Sequence, residues 1–194
     1  MPDQALSTQA ERPRLALSPS RAADFKQCPL LYRFRAIDRL PEPPSTAQLR
    51  GSLVHAVLEQ LYAMPSADRI YDAAMSLVDP SWAAATATNP GLADQLTSEQ
   101  QTKVLSEAQS LLRSYYRLED PTRFDPQSCE QRIEVELADG VMLRGFVDRI
   151  DVAATGEMRV VDYKTGRAPS AVRTMAEAKA LFQKKFYPVA PPRS

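Results

Sequence analysis

The spacing of apolar residues changes near residue 128 from a helical period to a strand period. Before this point apolar side chains recur every three to four residues, as in Leu49, Leu53, Val57 and Leu61, which indicates amphipathic helices. After it, apolar and polar residues alternate, which indicates half-buried strands. Helices followed by consecutive strands predict an α+β fold.

Capping and breaking residues limit the predicted helices. Ser18-Pro19 places a capping hydroxyl before a proline at the first helical position, and Thr97 with Gln100 forms a second capping signal. We predict helices over residues 19–27, 29–34, 48–62, 67–78 and 98–118, with a loop over 79–96. A further capping box at Thr174 predicts a last helix that ends at Tyr187, before a proline.

Two turn signals divide the strand region. Asp139-Gly140 separates strands predicted over 131–137 and 141–152, and Thr155-Gly156 precedes a third over 157–164. The order predicts a three-stranded antiparallel meander between helices. We expect a flexible tail over 1–17, one domain over 18–187 and an irregular tail over 188–194.

Composition excludes several classes. The 194 residues carry 24 basic and 24 acidic side chains, two cysteines, and no apolar run long enough for a membrane helix or signal segment. We therefore expect a cytoplasmic protein without a disulfide framework or membrane contact. No phosphate-binding Gly-x-x-x-x-Gly-Lys-[Ser/Thr] loop is present, so the chain should not bind ATP itself.

Charge is unevenly distributed. Residues 12–39 have a net charge of +5 and residues 159–194 of +6, whereas residues 65–158 have −8. If the fold brings the two basic ends together, they could form a groove for a polyanion. Charge blocks of this size also occur as ordinary solvated faces, so both interpretations stay open.

The segment 145–166 contains the candidate chemistry. Period-two alternation puts Asp162 and Lys164 on one face of the third strand, and a turn near residue 155 puts Asp148 opposite position 162 or 163. Two adjacent carboxylates favour a hard divalent cation, Mg²⁺ or Mn²⁺, and Lys164 could stabilise charge on a phosphate. The alternative is a surface strand with a cross-strand Lys–Asp ion pair.

Three other polar groups could contribute. His55, the single histidine, lies off the apolar stripe of its helix, and Glu59 follows one turn later. Gln183 and Tyr187 share a face of the last predicted helix and could contact a phosphate backbone. The histidine could equally be an ordinary half-buried residue, and the Gln–Tyr pair an ordinary helix surface.

Together these motifs resemble the RecB family of exonuclease-like proteins within the PD-(D/E)XK nuclease superfamily. The stretches that carry the resemblance are LSPSRAADFKQCPLLYRFRAID at 17–38, LRGSLVHAVLEQLY at 49–62, GFVDRID at 145–151, VVDYKTG at 160–166 and QKKFY at 183–187. The resemblance implies a restriction-endonuclease-like core and Mg²⁺- or Mn²⁺-dependent hydrolysis of DNA in repair or recombination.

The resemblance also implies individual roles. It makes His55, Asp148, Asp162 and the Tyr163 carbonyl metal ligands, and Lys164 the catalytic lysine. Gln183 and Tyr187 would contact DNA as the family's QxxxY motif, whereas Glu59 and Glu136 match less distinctive positions.

Two departures from the family pattern matter. Relatives hold an iron–sulfur cluster on four cysteines, but here Cys28 lacks the three C-terminal partners, so we expect no cluster on this chain. We also expect the final strand of the core to be missing after residues FYPVAPPRS, as in a truncated product. The alternatives to a self-sufficient nuclease are therefore a non-catalytic nucleic-acid-binding remnant and an accessory subunit that needs a helicase or other repair partner.

Overall fold

The computed structural model describes residues 16–88, 91, 95–138 and 140–166. Its regular elements are β1 (Ala16–Leu17), α1 (Pro19–Gln27), α2 (Pro29–Tyr32), a π-helical turn (Arg33–Ile37), α3 (Thr46–Ala63), a 3₁₀ turn (Ser66–Asp68), α4 (Tyr71–Ser76), α5 (Val78–Thr88), α6 (Ser98–Leu118), a second 3₁₀ turn (Pro121–Arg123), β2 (Ser128–Glu136), β3 (Met142–Val152) and β4 (Met158–Val161). The last predicted helix, the tail after it and the expected missing strand lie outside the described residues.

The described residues form two compact units. One consists of residues 16–39 and 132–145, and the other of residues 40–131 and 146–166. In the described part of the chain, each helix is either too short or too polar to cross a bilayer. The mixed helices and sheet confirm the predicted α+β class.

In the first unit, β1 pairs in parallel with the beginning of β3, Ala16 opposite Met142 and Leu17 opposite Leu143. These two residues were expected in a flexible tail, but the ladder satisfies their backbone groups. The helix predicted over 19–27 is confirmed as α1, whose first turn Ser18 caps.

The second unit is built on α3 and α6. The predicted α3 stripe is confirmed, and with residues of α4, α5 and α6 it forms the apolar core. The buried members are Leu49, Leu53, Val54, Val57, Leu58, Leu61, Ala74, Val78, Val104, Ala108 and Leu112. Helix α3 begins two residues before the predicted start because Ser45 and Gln48 form a capping box.

The loop predicted over 79–96 is wrong in its first half, where the chain forms α5. Pro80 lies in the first turn, where a helix does not need the backbone N–H that proline lacks. The alanines that follow favour helix, and Trp82 packs against the core. Ser81 is buried and accepts a hydrogen bond from the Gln60 amide at 2.8 Å, which ties α5 to α3.

Strand β3 is the centre of the sheet, with β1, β2 and β4 paired to it. In the second unit β3 and β4 are antiparallel with Arg149 opposite Val161, the register predicted for positions 148 and 162. The turn between them is closed at Gly156, whose φ of 94° favours glycine. Strand β4 ends at Val161, so the prediction of a strand continuing to Lys164 is wrong.

We expect Leu61→Ala to lower the free energy of unfolding by about 2–5 kcal/mol, because it leaves a cavity at a side chain that is 0% exposed. Leu118→Ala is the matched control, since Leu118 is 87% exposed at the end of α6, and it should change stability by less than about 0.5 kcal/mol. Urea unfolding of both variants measures the difference; equal losses would contradict the assigned core.

Candidate metal centre

His55 points from α3 toward the chain that leaves β4. Its Nε2 lies 3.1 Å from the carbonyl oxygen of Tyr163, and its Nδ1 lies 3.5 Å from Asp148 Oδ1. Val54 and Val57 beside it are buried in the core, so the helix fixes the position of the ring. The imidazole itself is partly exposed, with a side-chain exposure of 30%. The ring is therefore held against polar groups and not within the apolar core.

Asp148 lies on β3 between two buried residues, Val147 and Arg149. Its Oδ2 accepts a hydrogen bond from the Tyr163 N–H at 2.5 Å. Burial alone would raise the pKa of Asp148, but hydrogen bonds from His55 and from the Tyr163 N–H stabilise the carboxylate, and the net pKa is lowered. Asp148 is therefore an ionised, oriented carboxylate at neutral pH.

Glu130, which the sequence did not predict as a site residue, lies in the same group. Its Oε1 is 3.8 Å from His55 Nδ1. Glu130 has φ of 46°, an uncommon left-handed conformation within β2. Burial, and next the charge of Asp148, raise its pKa. The predicted strand began at residue 131, so Glu130 was placed outside it; the strand start at Ser128 was the missing information.

Together His55, Glu130 and Asp148 form a group that could hold a divalent cation. One ligand atom from each lies within 4.8 Å of the others. An imidazole and two carboxylates suit a borderline or hard divalent metal. A cation would also relieve the repulsion between the two carboxylates, so the donor set fits a metal.

Asp162 and Lys164 follow β4 and do not join this group. Lys164 Nζ lies 2.6 Å from Asp162 Oδ1, and the side chains are 69% and 60% exposed. This contact joins two residues of one segment beyond the strand, so it differs from the cross-strand Lys–Asp ion pair considered from the sequence. The chain leaves the ladder here because Asp148 and His55 bind the backbone of Tyr163. The predicted roles of Asp162 and Lys164 stay predictions.

Of the other predicted residues, Glu59 lies beside the candidate metal centre, because it lines an open pocket with Gly51, Ser52, His55, Ala56 and Glu130. Glu136 is exposed at the end of β2. Cys28 is an exposed free thiol, and nothing in the described residues supports an iron–sulfur site. Gln183 and Tyr187 lie outside the described residues.

Helix α3 also holds the segment after Tyr163. Arg50 donates to the Thr165 carbonyl at 3.1 Å and to Glu107 at 2.6 Å. A Cβ on Gly51 would lie 3.1 Å from Thr165 Oγ1, so glycine permits this close approach. His55, Gly51 and Arg50 thus fix the backbone that carries Tyr163 and Lys164.

Comparison with known proteins identifies a matching family and a relative. The sequence matches the family model of the PD-(D/E)XK nuclease superfamily over residues 16–191. It is also 26% identical over 175 residues to the Gene 69 protein of Mycobacterium phage D29, an alignment that covers 78% of this chain. The chain spans 63% of the length of that relative.

We expect the metal-free protein to lose stability as pH rises from about 6 to 8. The hydrogen bond with Asp148, opposed by burial, raises the pKa of His55 above 6.5. Protonated His55 therefore stabilises the fold below the unfolded-state pKa, and this contribution disappears as pH rises through the folded-state pKa. Among the described residues, Glu130 and Asp148 are the acidic groups within 4 Å of the ring nitrogens.

His55→Gln isolates the effect because the chain has one histidine. Urea unfolding between pH 6 and 8 should give a smaller decrease in the variant than in the wild type. The same pH slope in both proteins would contradict the assigned His55–Asp148 interaction.

Proposed function

Because the chain belongs to the PD-(D/E)XK nuclease superfamily, we propose that it is a divalent-metal-dependent DNA nuclease of the RecB type. The observation that carries this proposal is the meeting of His55, Asp148 and the Tyr163 backbone, which come from three separate parts of the sequence. We propose phosphodiester hydrolysis in DNA repair or recombination as the reaction and setting.

The proposed metal is Mg²⁺ or Mn²⁺. His55, Asp148, Glu130 and the Tyr163 carbonyl would hold it, with Asp162 as a further proposed ligand. When bound, such a cation supplies a more acidic water and stabilises negative charge on the phosphate. Carboxylate and carbonyl oxygens are the donors that these ions prefer.

Asp148 and Lys164 would have separate roles at that site. Asp148 is already ionised and oriented by the Tyr163 N–H, so it needs no proton loss before binding a cation. Lys164 would donate hydrogen bonds to a phosphate oxygen as negative charge develops there. Its present ion pair with Asp162 is exposed and therefore weak, so a phosphate can replace the carboxylate as its partner.

DNA would be bound largely through its backbone. The basic segments 12–39 and 159–194 supply cationic side chains, and we propose Gln183 and Tyr187 as contacts near the cut bond. Such contacts neutralise phosphates without reading bases, so binding should weaken steeply with salt and depend little on sequence.

One observation favours a second candidate, a DNA-binding subunit that cuts only with a partner. Asp162 and Lys164 are paired with one another and stand apart from the group formed by His55, Glu130 and Asp148. A helicase or other repair protein could then be required to bring them into place. The two candidates differ in whether purified protein cuts DNA alone.

We expect the purified protein to cut end-labelled linear DNA with Mn²⁺ or Mg²⁺ and to be inactive with EDTA. Asp148→Asn and Lys164→Ala should each lower the rate by at least about 100-fold, because each removes a charge that acts on the reacting phosphate or the metal. Single- and double-stranded substrates in parallel would show which is preferred.

The matched controls are Asp72→Asn and Lys103→Ala, substitutions of the same types on α4 and α6. They should retain wild-type rates, and all four variants should still bind DNA in fluorescence anisotropy. Cutting that survives EDTA or Asp148→Asn would contradict the proposed mechanism. Folded wild-type protein that binds DNA and metal without cutting would favour the partner-dependent candidate.

A further inference from the structure

Arg149 follows Asp148 on β3 and points to the opposite side of the strand, into the protein. Its side chain is 0% exposed. A buried guanidinium is costly unless its charge and its N–H groups are matched. Arg149 therefore needs neighbouring carboxylates and hydrogen-bond acceptors.

Two carboxylates balance the charge. Arg149 Nη1 and Nη2 donate to the two oxygens of Glu119 at 2.8 Å each, and Nη2 donates to Asp151 at 3.1 Å. Arg159 joins the same carboxylates, at 2.8 Å from Glu119 and 2.7 Å from Asp151. Two cations and two anions leave this cluster neutral, so it adds little net field to the neighbouring metal centre.

Tyrosine hydroxyls complete the cluster. Arg149 Nη1 lies 2.5 Å from the Tyr62 hydroxyl, 2.9 Å from that of Tyr163 and 3.4 Å from that of Tyr115. The guanidinium carbon also lies 4.9 Å from the centre of the Tyr62 ring and 4.8 Å from that of Phe124. Arg149 is thus fixed from several directions.

Tyr163 connects this cluster with the candidate metal centre. Its hydroxyl accepts from Arg149, while its backbone N–H donates to Asp148 and its carbonyl contacts His55. The ring also meets the His55 ring edge to face, with centroids 5.8 Å apart. Because Tyr163 lies beyond the end of β4, none of the strands in the described part of the chain pairs with its backbone.

We propose that Arg149, held by Glu119 and Asp151, is a positioning residue for the metal centre and acts through the Tyr163 side chain. By anchoring the phenol on the buried side, it sets the backbone groups that orient Asp148 and His55 on the other side. This inference rests on the proposed metal-binding function of those residues. It predicts that the Tyr163 hydroxyl matters for metal binding although it points away from the metal.

Tyr163→Phe tests the proposal because it removes the anchoring hydroxyl and leaves the backbone donor and acceptor in place. Tyr116→Phe is the matched control. The Tyr116 hydroxyl donates to the carbonyls of Arg69 and Ile70, at 3.0 Å and 2.9 Å, so its loss also removes the hydrogen bonds of a phenol and should lower stability. Among the described residues it makes no hydrogen bond to Arg149, His55 or Asp148.

Calorimetric titration with Mn²⁺ should show affinity about threefold to tenfold lower in Tyr163→Phe, the equivalent of one lost hydrogen bond. Tyr116→Phe should bind Mn²⁺ like the wild type, although it also loses the hydrogen bonds of a phenol hydroxyl and some thermal stability. Equal losses of affinity in the two variants, or none in Tyr163→Phe, would overturn the proposal.

A metal-free measurement separates this inference from the proposed function. Carbon-13 labelling of the single histidine gives one imidazole signal, which reports on His55. Tyr163→Phe should shift that signal and Tyr116→Phe should leave it unchanged; the reverse pattern would overturn the positioning role. If the wild type bound no Mn²⁺ but the signal shifted as expected, the proposed metal function would fail and the positioning of His55 would stand.

Discussion

The hydrogen bond from the Tyr163 N–H to the Asp148 carboxylate holds together the parts on which the candidate site depends. It joins β3 to the chain just beyond β4, where strand pairing has ended. The same residue presents its carbonyl to His55 on α3. The backbone of Tyr163 therefore connects a strand, a helix and an irregular segment. Side chains of the site satisfy both its N–H and its carbonyl group.

The helical core holds α3, and with it His55, in a fixed position for this connection. Helix α3 packs its apolar side against α6, which leaves His55 and Gly51 on a side that faces the segment after β4. The opposite side of β3 is fixed by Arg149 in a neutral, hydrogen-bonded cluster. Successive residues of one strand thus have different roles. Asp148 faces the candidate metal centre, and Arg149 on the opposite side of the strand anchors the Tyr163 side chain.

Much of the fold could be predicted because its signals are local. The capping residue Thr97, the α3 stripe and the turn at Gly156 each depend on a few neighbouring residues, and the structure contains all three. Helix α5 was missed because residues 79–96 were predicted as a loop, although a proline such as Pro80 is compatible with the first turn of a helix.

The candidate site was predictable only in part. Hairpin register brought Asp148 close to the segment after β4, as the sequence indicated. Glu130 could not be predicted from a repeating pattern. Its position depends on the left-handed conformation that Glu130 itself adopts inside β2. The burial of Arg149 was equally inaccessible, since it depends on Glu119, which is 30 residues distant in sequence.

The most direct test of the central claim is anomalous diffraction from crystals of the protein soaked in Mn²⁺. A strong manganese peak is expected within bonding distance of the His55 imidazole and the Asp148 carboxylate. Manganese peaks only at other residues, or no peak near His55 and Asp148 in a crystal where both are ordered and accessible, would contradict the proposed metal site.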